Sequence, residues 1–204
     1  MGYYIFCYGI KTDQVLGAFN SKDETLLKEV EGNDLFQDYA DFEVNGFATR
    51  PDQALADIIQ GNPFDNRSNY AYGYAVIGLC ATLGTALPYT QEIKLGHETD
   101  LINKVLKEDF GILNLNIEEE FFEDNSHPFP IPKMDDWPLI GLIKHKQLGE
   151  LKSKMSSLNI TDEQIEALED DPDEKGFAYE HLKGILENLN YCLDHHLDLV
   201  SFCH

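Results

Sequence analysis

The sequence predicts an α+β fold, mostly α. Helices pack around one buried central helix at about residues 69–84, and a small sheet forms from the N- and C-terminal strands. Three observations predict this. Asn69 to Gly84, NYAYGYAVIGLCATLG, carries no charge and has apolar or small residues on every face. That is the pattern of a helix buried all round rather than along one stripe. Tyr3 to Tyr8 and Leu197 to Cys203 read as short strands. Each is the other's most economical partner, because a lone strand leaves its backbone groups unpaired. The intervening segments repeat apolar residues at helical spacing behind recognisable start signals.

The elements follow in order. Thr12 or Asp13 can cap a short helix through Phe19. Ser21-Lys22-Asp23-Glu24 has the form of a capping box, opening a helix with Leu26, Leu27 and Val30 that stops at Gly32. Asp34 starts another, with Leu35, Phe36, Tyr39 and Phe42 inward. Thr49-Arg50-Pro51-Asp52 places Pro in a first turn, where no hydrogen bond is lost. That helix buries Leu55, Ile58 and Ile59 and ends at Gly61. In the central helix, Tyr70, Tyr74 and Ile77 share one face, and Tyr72, Val76, Leu79 and Leu83 another. Gly73 and Gly78 invite the close approach of a neighbouring helix, and Gly84 stands as a C-cap. The tyrosines read as core residues with satisfied hydroxyls.

Glu98 to Phe110 repeats Leu101, Ile102, Val105 and Leu106 on a half-buried stripe. Beyond Gly111 the character changes. Acids surround Phe121-Phe122, and Pro128, Pro130, Pro132 and Pro138 then exclude a continuous helix. This stretch reads as an ordered surface loop anchored by Phe129, Ile131 and Trp137. Gly141 to Ser157 reads as helix, and Thr161-Asp162-Glu163-Gln164 as a second capping box. Phe177 to Asp194 forms a long helix presenting Leu182, Ile185, Leu186, Leu189 and Leu193 to the core. No repeat or flexible linker divides the chain, so residues 1–204 are expected to form a single compact domain.

Charge bounds the function. The chain has 37 acids against 15 bases, net −22, a surface that repels phosphate and attracts basic proteins. Nucleic acid is therefore not an expected partner. The central helix is too short and too rich in Tyr and Gly to cross a membrane, so a membrane is not one either. MGYYIFCYGI has no basic segment and no small-residue cleavage site. With four cysteines (Cys7, Cys80, Cys192, Cys203) and no secretion signal, a cytoplasmic location and reduced thiols are expected. A Cys7–Cys203 bridge is the one exception the strand pairing would allow.

Cys192, His195, His196, Cys203 and His204 concentrate metal-capable side chains, but only the first pair has zinc-like spacing. The alternative places the histidines at the negative end of a helix and the cysteines in the core. Asp171 to Gly176 begins like a calcium loop and fails at Lys175 and Leu182. No phosphate-binding, dinucleotide or metalloprotease motif is present. The candidate site is partner-binding: Glu118, Glu119, Glu120, Asp135, Asp136 and Trp137. A tryptophan beside acids on proline-stiffened backbone has the make-up of an interface hot spot. The competing reading folds Trp137 onto the protein's own core. No catalytic, metal or cofactor-binding residue is assigned, and no cofactor is expected.

YGIKTDQVLGAFNSKDETLLKEV, YAYGYAVIGLCATLGTALP, DDWPLIG and LDLVSF occur in this order. Together they resemble a bacterial family known as a domain of unknown function, with a Tyr-Gly-Tyr-Ala helix and a Pro-x-Ile-Gly loop. The resemblance spans nearly the whole chain and implies one compact domain without an assigned activity. The function expected is a non-catalytic cytosolic protein-binding module, immunity-like, whose acidic surface meets a basic protein partner. The alternative is a small carboxylate-dependent enzyme of the hydrolase class, with its cleft beside the central helix. A third reading is a metal-binding protein using the C-terminal Cys/His cluster.

Overall fold

A computed structural model describes residues 2–43, 48–122, 128–134 and 137–204. Along the chain run β1 (Tyr4–Ile10), α1 (Thr12–Ala18), α2 (Glu24–Glu31), α3 (Asp34–Gln37), α4 (Pro51–Gln60) and α5 (Asn69–Leu83). Then follow β2 (Thr85–Ala86), β3 (Ile93–Lys94), α6 (His97–Glu108), α7 (Ile117–Phe122), β4 (Leu139–Ile143), α8 (His145–Lys154), α9 (Asp162–Glu166), α10 (Lys175–Asp194) and β5 (Asp198–Cys203). The fold is α+β and mostly α, as the sequence predicts.

The antiparallel sheet has the order β2-β1-β5-β4, with β3 also on the outer edge of β1. The terminal strands pair along six residues, from Ile5 opposite Cys203 to Ile10 opposite Asp198. Strand alternation then sorts side chains to two faces. Phe6, Tyr8, Ile140, Leu142, Val200 and Phe202 meet α1 to α5 on one face. Ile5, Cys7, Leu139, Ile143, Leu199 and Cys203 meet the later helices on the other.

On the first face α5 is buried from Tyr70 to Cys80. Its all-apolar surface needs cover on every side, and α2, α3 and α4 supply it away from the sheet. Of its two glycines, Gly78 behaves as expected: a Cβ there would lie 3.1 Å from Val30 of α2 and would also crowd Phe36 of α3. Gly73 faces no helix. A Cβ there would lie 2.6 Å from Met134 and 2.8 Å from Pro138, so the proline-rich loop is what approaches it. Two tyrosine hydroxyls are satisfied. Tyr72 donates to Asp57 (3.0 Å), and Tyr70 donates to the Thr49 carbonyl (3.1 Å). Gly84 ends the helix from extended rather than left-handed backbone, its N–H on the Cys80 carbonyl.

Several local expectations need correction. The run from Gly141 does not begin a helix: β4 occupies Leu139–Ile143, and α8 starts only at His145. A five-residue apolar run fits strand and buried helix equally by period. The open edge of β5 decides it, pairing Gly141 with Ser201. A Cβ on Gly141 would strike the Phe121 carbonyl, so α7 presses its backbone onto this strand. The cap of α2 is Asp23, which accepts from Thr25 and Leu26 N–H; Ser21 accepts only from Asp23 N–H. Thr12 does not cap α1 but donates from its hydroxyl to Asp198 across the β1–β5 join. Phe42 is exposed rather than inward. The Thr161 box forms as expected, with Gln164 reaching back to the Thr161 N–H at 2.9 Å.

Candidate functional site

Two regions at opposite edges of the sheet carry polar chemistry. The first lies along β4 and holds the residues singled out by sequence. α7 begins with Glu118, Glu119 and Glu120, where carboxylates favour the positive end of a helix. Glu118 and Glu119 are exposed, whereas Glu120 is half-buried in a close ion pair with Lys154 of α8. Glu119 and Glu120, with Glu150, wall a polar groove of about 530 Å³. Trp137 is half-buried at the rim of the second core and stacks on Tyr3, with ring centroids 3.7 Å apart and planes 12° apart. Tyr3 itself is 45% exposed. Burial raises the Cys203 thiol, with the charge of Glu118 adding to it, and Cys203 pairs with Leu139, two residues beyond Trp137. Phe129 and Ile131 of the proline-rich loop pack on the first core, and Trp137 packs on the second. Asp135 and Asp136 lie outside the described residues.

The second region lies at the outer edge of β1 and was not read from sequence. Tyr8 pairs with Ala86, and Ile5 pairs with Ile93. Only Phe6 and Cys7 lie between on β1, but residues 87–92 lie between on the facing segment. This is a large bulge with four residues more than the ladder needs. It leaves a cavity of about 230 Å³ reaching both faces of the sheet edge.

The bulge is pinned to α10. Asn188 accepts the Tyr89 N–H at 2.9 Å and donates its amide to the Tyr89 carbonyl at 2.9 Å. The Tyr89 ring lies on Gly184, where any Cβ would collide with it. The Tyr89 hydroxyl is 2.7 Å from His181 Nδ1 and 3.0 Å from Gln91 Oε1, and Gln91 donates to Glu180 at 3.1 Å. His181 Nε2 lies 3.2 Å from Glu98, which also accepts the Lys94 N–H at 2.6 Å. His181, Gly184 and Asn188 stand at helical spacings of three and four, on one face of α10.

Reactive groups here are held in their neutral forms. Burial pushes the Cys7 thiol up to about 11, against a smaller lowering by Ser201, whose hydroxyl is 3.4 Å away. Burial also raises Tyr8 and Tyr89, with nearby acids adding to it. Burial lowers His181, and Glu98 and Glu180 offset part of that. Thiolate and phenolate are the nucleophilic forms, so burial keeps Cys7, Tyr8 and Tyr89 in their less reactive states.

The C-terminal cluster does not assemble. Cys192 and Cys203 are buried in the second core, His195 and His196 are exposed beyond α10, and His204 Nε2 lies 2.6 Å from the Tyr39 hydroxyl. Among the described residues no three His, Cys, Asp or Glu are grouped to hold a metal ion. All four cysteines are free: Cys7 faces Ser201 rather than Cys203 in the ladder. Among the described residues no helix is long and apolar enough to cross a membrane.

Fold and sites together define an α+β protein with an acidic groove at one sheet edge and a small cavity at the other. The chain belongs to the family described as Domain of unknown function (DUF7691), which matches residues 1–204. Comparison with curated proteins and with solved structures finds no match.

Proposed function

We propose that the protein is a non-catalytic, cytoplasmic protein-binding module whose acidic surface meets a basic protein partner. The observation that carries this reading is the flank along α7 and β4. It packs α7, whose first turn holds Glu118, against β4, the strand that follows Trp137 of the stacked, part-exposed Tyr3–Trp137 pair. Glu119, Glu120 and Glu150 line a groove beside Leu142 and Ile143, toward the other end of β4, where Lys154 is the one cation among the described lining residues and is already paired. Such a flank offers an aromatic anchor beside negative charge, the composition of an interface hot spot. The total charge of −22 steers a basic protein toward it. The four free cysteines, three of them buried, fit a reducing compartment.

The test uses the partner captured from the source cell at low salt and released at high salt. Trp137→Ala is expected to speed dissociation and weaken binding by about 2 kcal/mol or more. Neutralising Glu118 or Glu119 singly should slow association only slightly, because steering depends on the whole field. A fall in melting temperature with unchanged affinity of the folded protein would instead make Trp137 a core anchor and end this reading.

A further inference from the structure

An antiparallel edge needs two residues to pass Phe6 and Cys7, yet six leave the ladder and are clamped onto α10. Bulges of this kind bend a strand away from its partner and re-aim its side chains, often beside binding sites. The opening has a definite lining. Ile5, Leu87, Ile185 and Leu199 form an apolar wall, and the rings of Phe6 and Tyr8 line it as well. An apolar cavity of about 150 Å³ holds a benzene ring, so the 230 Å³ here suits a ring with a short arm.

Among the described residues that line the opening, Glu92 is the only charged one. Among the described residues it makes no hydrogen bond or ion pair. It lines the same opening as the rings of Phe6 and Tyr8. A carboxylate with no cation beside it, next to aromatic faces, is complementary to an organic cation. The net charge of the chain raises the local concentration of such cations.

We propose that the cavity at the β1 edge binds a small organic ammonium ion, with its apolar ring inside and its cationic head beside Glu92 and the rings of Phe6 and Tyr8. This site lies at the sheet edge opposite the acidic flank and does not depend on it.

Calorimetric titration of the full chain with phenethylammonium, phenethyl alcohol and phenylacetate tests this. The ammonium should bind about tenfold or more tighter than the alcohol, and phenylacetate should give no binding heat. Glu92→Gln, an exposed position, should cost the ammonium about tenfold in affinity and leave the alcohol unchanged. Ile185→Phe should weaken both by filling the cavity, with a melting curve confirming the fold. Trp137→Ala should change neither, which separates failure here from failure of the protein-binding reading. The proposal is overturned if the ammonium does not bind, if the alcohol binds equally well, or if Glu92→Gln keeps full affinity.

Discussion

The two faces of the sheet are covered by different means. On the first, α5 has no charged residue and is shielded by other helices, so this layer is two helices deep. On the second, α10 is amphipathic: Leu182, Ile185 and Leu189 point inward, and Lys183 and Glu187 lie outward. The second layer therefore meets solvent directly and can carry charge within reach of the core. Both polar regions described above draw on its elements: the Tyr89 clamp on α10, and the acidic groove on α7 and α8. A fully buried helix stabilises; an amphipathic one can also present chemistry.

The largest test of this contrast is Leu79→Ala in α5 against Leu186→Ala in α10. Leu79 is fully buried and should cost about 4 kcal/mol, the upper part of the range for cavity-forming changes. Leu186 is half-buried and should cost about 1–2 kcal/mol. Denaturant unfolding measures both, and equal losses would break the contrast. Next in size is Asn188→Ala. It strands the Tyr89 N–H and carbonyl at a cost of about 1–3 kcal/mol. Amide exchange should accelerate at residues 87–92 before it does in α5. Uniform acceleration would mean that the bulge is not held by its clamp.

Much of the first layer was legible because its signals are local. A long uncharged run, a Pro in a first turn and stop glycines each act within a few residues. The β1–β5 pairing followed from backbone satisfaction alone. β4 was missed because LIGLI is too short for its period to decide between strand and helix, and because its partner lies far away in sequence. β2 and β3 have two residues each and carry no pattern. The clamp was invisible for the same reason: Tyr89 lies 92 residues from His181 and 99 from Asn188. Its only local trace is a glycine between two polar residues on the inward face of α10. The acidic flank was legible as composition, but the Tyr3–Trp137 stack was not. It needs β1 and β4 brought to one end of the sheet.

The smallest expected effect is on the pH dependence of stability. Burial holds His181 and His204 below their ordinary value of 6.5. The unfolded chain then takes up protons that the folded chain refuses. Their contribution is fully present above pH 6.5 and is lost as the pH falls through the folded values. Asp198 is held below 3.8, because hydrogen bonds from Thr12 and His145 and the charge of Lys144 outweigh its burial, so its contribution persists to lower pH. Thermal melts from pH 8 downward should show a first decline below about 6.5 that His181→Gln reduces. A flat profile down to pH 4 would place the burial of these histidines in doubt.

The position of β5 sets how the chain can reach this state. It lies between β1 and β4 and gives side chains to both cores. The β1–β5 join closes a loop of nearly the whole chain, for instance between Cys7 and Ser201, 194 residues apart. Contacts of such separation form slowly, because chain entropy is lost before the pairing returns anything. Helices such as α4 and α5 can meet early, but neither layer has a floor until this strand is seated. Both layers should therefore unfold together, in one transition. The backbone amides of Leu199 to Phe202 should exchange with solvent only through that global opening.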